Sequence, residues 1–193
     1  MTDSRLDPIW IDVGQVLQRT VTSLYSHLVT RPTGRAVRMA IEAQLQSAGR
    51  RSLSLIDLSE VVILDFSCAD EVVARLVEDS TKSLTHEAFF VFRGVHEPHR
   101  DQIESVLERR GLAAVAETEP GTFRLLGTRT DVEERVWREV ERRGLVGPDE
   151  VPELALDAAD LRAFESVLER RLAFRSPSTG RVHALSRLVR HVT

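Results

Sequence analysis

The stretch from Leu53 to Leu76, LSLIDLSEVVILDFSCADEVVARL, constrains the fold of this chain more than any other. Val61 to Leu64 is a run of four apolar residues, three of them β-branched, and such a run suits a strand covered on both faces. Asp65-Phe66-Ser67 breaks the run. Ser67 is placed to cap a helix, with Asp70 three residues on as a capping-box partner. Ala69, Val72, Val73 and Leu76 then recur at helical spacing and give that helix an inward face. The unit reads as a buried strand, a polar turn and a helix opening at Ser67. Some signalling domains hold a phosphorylated hydroxyl at this kind of position.

The rest of the chain alternates in the same way. Gly34 to Ala48 reads as an amphipathic helix ended by Gly49, and residues 53–57 as a strand. Residues 69–82 continue the Ser67 helix. Ala88 to Arg93 is a strand, and Pro98 to Arg110 a helix stopped by Gly111. Ala113 to Ala116 and Thr122 to Leu126 are closing strands. Ile9 to Leu28 is ambiguous: Ile9, Ile11 and Val13 alternate as in a strand, while Val13, Val16, Leu17, Val21 and Leu24 keep helical spacing. A helix across its middle and a strand near Ser23 to Val29 are expected, after a polar start at residues 1–8. Strands alternating with helices imply an α/β class with crossovers.

The character changes near Gly127. Residues 128–193 hold 12 arginines and 12 acids, so the net charge of −4 belongs to the first 127 residues. This last third reads as helix 131–143, a short helix 149–155 and a helix 158–171 capped by Asp157. Two short alternating runs around Ser176-Pro177-Ser178-Thr179-Gly180 then make a hairpin. Three helices followed by a hairpin resemble a winged helix, by order of elements.

Two motifs carry a more specific resemblance. Asp57-Leu58-Ser59-Glu60-Val61 followed by Asp65-Phe66-Ser67 resembles the STAS domain of anti-sigma factor antagonists and sulfate-transporter tails. Thr30-Arg31-Pro32-Thr33-Gly34, then Arg38, and the turn Ser67-Cys68-Ala69-Asp70-Glu71 resemble the STAS-like family of bacterial regulators still closer. Phe66 and Cys68 depart from the antagonist pattern, which has serine and glycine there. The likeness spans residues 23–127, with 1–22 as an N-terminal extension and 128–193 as the winged-helix-like domain. It implies an α/β, STAS-like mixed sheet with helices, plus a small α+β domain. It also implies a regulatory partner, an anti-sigma factor or histidine-kinase-type ATPase, bound around the Ser67 helix. Arg31, Asp65, Cys68, Asp70, Glu71 and Val72 are the expected contacts and Ser67 the candidate phospho-switch.

Each site also has a plainer reading. Ser67 alone does what a cap does, satisfying free backbone N–H groups. Phosphate there would meet a helix dipole but also Asp65, Asp70 and Glu71, so it would break an interface rather than close one. Asp57 and Asp65 suit ordered turns better than acid–base work, since no general-base histidine or phosphate loop accompanies them. His96-Glu97-Pro98-His99 lacks the spacing that puts two imidazoles on one helix face, and reads as a surface loop. Cys68 reads as structural and semi-buried. For nucleic acid, Arg162, Arg175, Arg181 and Arg187 are the candidates, set against the balanced charge of helix 158–171.

Composition closes off other classes. Aromatics make up 5% of the chain, which leaves few base-stacking platforms. One cysteine excludes an intrachain disulfide and fits a reducing cytosol. No apolar run approaches the ~20 residues that cross a bilayer. No catalytic set, zinc motif or nucleotide fingerprint is present, so neither enzyme activity nor a cofactor is expected. A cytoplasmic, non-enzymatic regulator is expected, compatible with a homodimer, with protein docking ahead of DNA binding and no membrane partner.

Overall fold

A computed structural model describes residues 7–12, 15–16, 27–47, 49–83 and 85–190. Its centre is a five-stranded sheet: β1 (Asp7–Asp12), β3 (Arg51–Asp57), β5 (Glu87–Arg93), β6 (Ala113–Glu119) and β7 (Thr122–Gly127), side by side in that order. The first four run parallel and β7 turns back antiparallel to β6, with an irregular register between Glu117 and Glu119. The class is mixed α/β. Residues 7–12, expected in an extension, form an edge strand of the sheet, while most of the helix expected across the middle of Ile9–Leu28 lies outside the described residues.

The side-chain alternation of β5 explains how the sheet is covered. Phe90 and Phe92 point into one apolar core and Phe89 and Val91 into the other. The first core is closed by α1 (Arg31–Gln46), by the helical run from α2 (Phe66–Ala69) through a π turn (Asp70–Ala74) to α3 (Arg75–Lys82), and by α4 (Glu97–Arg109). The second is closed by α5 (Asp131–Arg143), α7 (Ala158–Glu169) and α8 (Leu185–Val189). Between α5 and α7 lie β8 (Leu145–Val146), a 3-10 turn (Pro148–Glu150) and α6 (Val151–Leu154). The hairpin β9 (Ala173–Arg175) and β10 (Val182–Ala184) precedes α8, and these three short strands form a sheet in the order β8-β10-β9. The last third of the chain therefore shares its core with the central sheet. Phe174 packs edge-on against Phe89, with ring centroids 5.5 Å apart. Arg171, in a left-handed conformation at φ 59°, donates to the carbonyls of Ser83, His86 and Ala88.

One strand differs from expectation. Val61 to Leu64 is not a strand covered on both faces: only β4 (Ile63–Leu64) forms, paired parallel with β2 (His27–Leu28). Val62 and Ile63 are exposed, and the buried strand with a near-continuous apolar run is β5. No helix among the described residues is long and apolar enough to cross a membrane.

A chain ended at Thr128 would leave Leu53, Leu55, Phe89, Val91 and Val115 facing water. We expect such a fragment to bind a dye that reports exposed apolar surface and to lose cooperative thermal unfolding. A fragment that melts as sharply as the full chain would show that this sheet face does not need its cover.

Candidate functional site

The site is built where α1 crosses the Phe66–Lys82 helical run. Thr30 caps α1, accepting from the Thr33 N–H. Gly34 lies in the first turn against the neighbouring helix: a Cβ there would sit 2.9 Å from Cys68 Cα and 3.2 Å from Glu71 Cβ. No residue but glycine permits that approach without displacement of the backbone beside it. The two segments that carry the sequence resemblance, Thr30–Gly34 and Ser67–Glu71, are therefore in direct contact.

The close approach lets long side chains from α1 reach a pair of buried acids. Asp70 and Glu71 are 7% and 2% exposed. Arg31 Nη1 donates to Asp70 Oδ2 at 3.0 Å and to Glu71 Oε1 at 2.9 Å. Arg38 Nε donates to Glu71 Oε2 at 3.3 Å, and Arg110 Nε to Asp70 Oδ1 at 2.8 Å. Arg75 Nε stands 3.3 Å from Glu71 Oε1 but makes no hydrogen bond. Burial pushes the Asp70 carboxyl up, and the hydrogen bonds from Arg110 and Arg31 outweigh it and hold the group below its usual range. Its contribution to stability is thus present above the unfolded carboxylate range and is lost as pH falls through the lower folded value.

The helix start differs from expectation. Asp65, not Ser67, is the cap of α2, accepting from the Cys68 N–H at 2.8 Å. Ser67 lies inside the helix and donates its hydroxyl to Asp65 Oδ1 at 2.9 Å. Asp70 answers arginines rather than a cap. A carboxylate three residues before the Cys68 N–H wins the cap because a charge-assisted acceptor is stronger than a hydroxyl. Of the expected partner contacts, Arg31 and Asp65 reach the surface, while Cys68, Asp70, Glu71 and Val72 are buried and offer no docking face. Val73 and Leu76 are buried as well, so they form no apolar patch. Exposed apolar side chains instead lie at the ends of β2 and β4, where Val29 is 45%, Val62 66% and Ile63 44% exposed. The strand-like pattern of Val61 to Leu64 hid them.

The remaining candidates fall into place singly. Asp57 Oδ1 accepts from Ser59 N–H, ordering its own turn. His99 is not in a surface loop: it is buried in the first turn of α4, its Nε2 3.4 Å from the Val62 carbonyl. Three or more metal-ligating side chains do not cluster anywhere among the described residues. Arg175 is paired with Glu165 and lies over the Phe164 ring. Arg162, Arg181 and Arg187 are exposed, without a carboxylate partner among the described residues. No protein-family model, curated protein or solved structure matches this chain.

Burial first, and the Asp65 carboxylate next, push the Cys68 thiol up to about 12, and the thiol donates to the Thr30 carbonyl at 3.0 Å. A raised thiol stays protonated at neutral pH and is a poor nucleophile. We expect iodoacetamide to leave the native protein unlabelled near pH 8 and to add one equivalent after denaturation. Rapid labelling of the folded chain would contradict the buried, capped thiol.

Proposed function

We propose that this chain is a non-enzymatic regulatory protein of the STAS-like kind. It docks a regulatory protein, an anti-sigma factor or histidine-kinase-type ATPase, on the surface where α2 begins, with Ser67 as the switch. The observation that carries this reading is the placement of Ser67. Its partly exposed hydroxyl is the donor that Asp65, the cap of α2, accepts, and it lies within five residues of the exposed Val62 and Ile63. A phosphate on Ser67 removes that donor and sets a dianion against Asp65. The cap then competes with repulsion, and an N-cap contributes about 0.5–2 kcal/mol to a helix. Modification would loosen the start of α2 and release whatever is docked on it.

Partner capture by Ser67→Glu should fall at least about tenfold while its thermal transition remains cooperative and drops by only a few degrees, with Ser67→Ala close to wild type in capture; 1.4 kcal/mol of lost docking is that factor. Capture of the partner at full strength by folded Ser67→Glu would remove the switch.

A second reading is favoured by the last third of the chain. The strand order β8-β10-β9 beside three helices supports a winged-helix-like arrangement, and Arg162, Arg181 and Arg187 are exposed and unpaired. On this reading the protein also regulates transcription by binding DNA. Substituting all three by alanine should weaken binding to duplex DNA and flatten its log–log salt dependence by up to about three, near one per phosphate contact. Absence of DNA retention at low salt would end this reading.

A further inference from the structure

The arginines over the buried acids are segregated by depth. The carboxylates of Asp70 and Glu71 are 9% and 2% exposed, whereas the side chains of Arg31, Arg75 and Arg110 above them are 49%, 42% and 26% exposed. Arg31 and Arg75 flank the same Glu71 oxygen, and Arg31 and Arg110 grip the same Asp70 carboxylate, so the three guanidinium groups share one small area. Their donors are only partly used. Among the described residues Arg31 engages Nη1 alone, Arg110 engages Nε and Nη1, and Arg75 engages none of its donors, its Nε being buried beside Glu71 while the side chain as a whole is half-exposed. Water therefore meets a roof of guanidinium N–H groups whose counter-charges lie beneath it. Glu78, the acid beside this roof, is held by Lys82 and Arg110.

Apolar side chains lie close in the chain to these arginines. The exposed Val29 stands two residues before Arg31, and Arg109, next to Arg110 and without a carboxylate partner among the described residues, lies 5.9 Å from the ring centroid of the partly buried Phe66. Guanidinium groups with unused donors fit carboxylates two at a time, and the nearby apolar side chains fit aliphatic ones. We propose that this face binds a segment of a partner protein that alternates glutamate or aspartate with aliphatic residues. The acidic side chains pair with Arg31, Arg75 and Arg110, and the aliphatic ones lie on Val29 and Phe66. This rests on the proposed function, and supplies the chemistry of the partner that reading leaves open.

The probe is a fluorescein-labelled peptide of alternating glutamate and leucine, titrated with the full chain by anisotropy. A peptide with lysine in place of glutamate serves as control. Saturable binding of the acidic peptide alone is expected. Arg75→Gln is the informative variant, because Arg75 makes no hydrogen bond and its loss leaves both buried acids with partners. It should weaken the acidic peptide about two- to fivefold, the range of one exposed ion pair. In nitrogen-resolved NMR spectra the arginine Nε signals of Arg31 and Arg75 should move with the peptide. No saturable binding, or equal binding by Arg75→Gln, overturns the proposal. Signals that move with a duplex oligonucleotide and not with the peptide overturn it as well, by making the face a phosphate site. Capture of a native partner equally by wild type and Arg75→Gln overturns this proposal and leaves the proposed function standing. Peptide binding without any captured protein overturns the proposed function instead.

Discussion

Two adjacent carboxylates, Asp70 and Glu71, lie almost wholly out of water, and the arrangement around them follows from that. A buried charge is strongly destabilising unless partnered, so the fold must bring cations to it from several directions. They arrive from α1 as Arg31 and Arg38, from the same helical run as Arg75, and from the turn after α4 as Arg110. Three elements far apart in sequence are thereby tied to one point on the first face of the sheet. Such a network adds little net stability over apolar packing, but it leaves few alternative ways to dock α1. Gly34 then follows, because only a bare backbone lets α1 come near enough for Arg31 to reach.

The second face of the sheet uses a different principle. It is covered by apolar side chains from α5, α7, α8 and the hairpin, around Trp137 and Phe164. Polar bonds fix position there too: the Trp137 indole donates to the Leu172 carbonyl, and Arg171 reaches three carbonyls at the start of β5. The layer that carries the unpaired Arg162, Arg181 and Arg187 is thus fastened to the same strand, β5, whose other face supports the acid–arginine network. A partner on one face and a nucleic acid on the other would load the same strand.

Much of this was legible in the sequence, and the failures have physical causes. The Asp157 cap and the hairpin came from short-range signals, a capping carboxylate and a Pro/Gly turn, and helix 131–143 formed as expected, with a capping box at Thr130 and Glu133 that the expectation did not use. β5 stood out because a strand buried on both faces reads as a continuous apolar run. The same rule failed for Val61 to Leu64, since an apolar run of four does not say whether anything covers it, and here Val62 and Ile63 face outward. The motif residues were noticed as a group, but their roles were not. Asp70 and Glu71 read as surface acids, because their partners Arg31 and Arg110 lie about 40 residues away in the chain and only the folded sheet brings them close. Ser67 was the expected cap and Asp65 an expected turn residue; the cap is Asp65, and spacing alone does not choose between a hydroxyl and a carboxylate two residues apart.

The π turn at Asp70–Ala74 sets the phase of the helix that follows it. All five of its residues are buried, which a regular helix with one inward face does not allow. A wider turn accommodates one residue more than an α-helix would in the same span. The helix after it is therefore rotated by about 100° relative to an uninterrupted one. With that rotation Leu76 and Val77 are buried in the first core. Removing one residue from this turn would swing α3 by that same angle, carrying Leu76 and Val77 off the core and the acid pair away from its arginines.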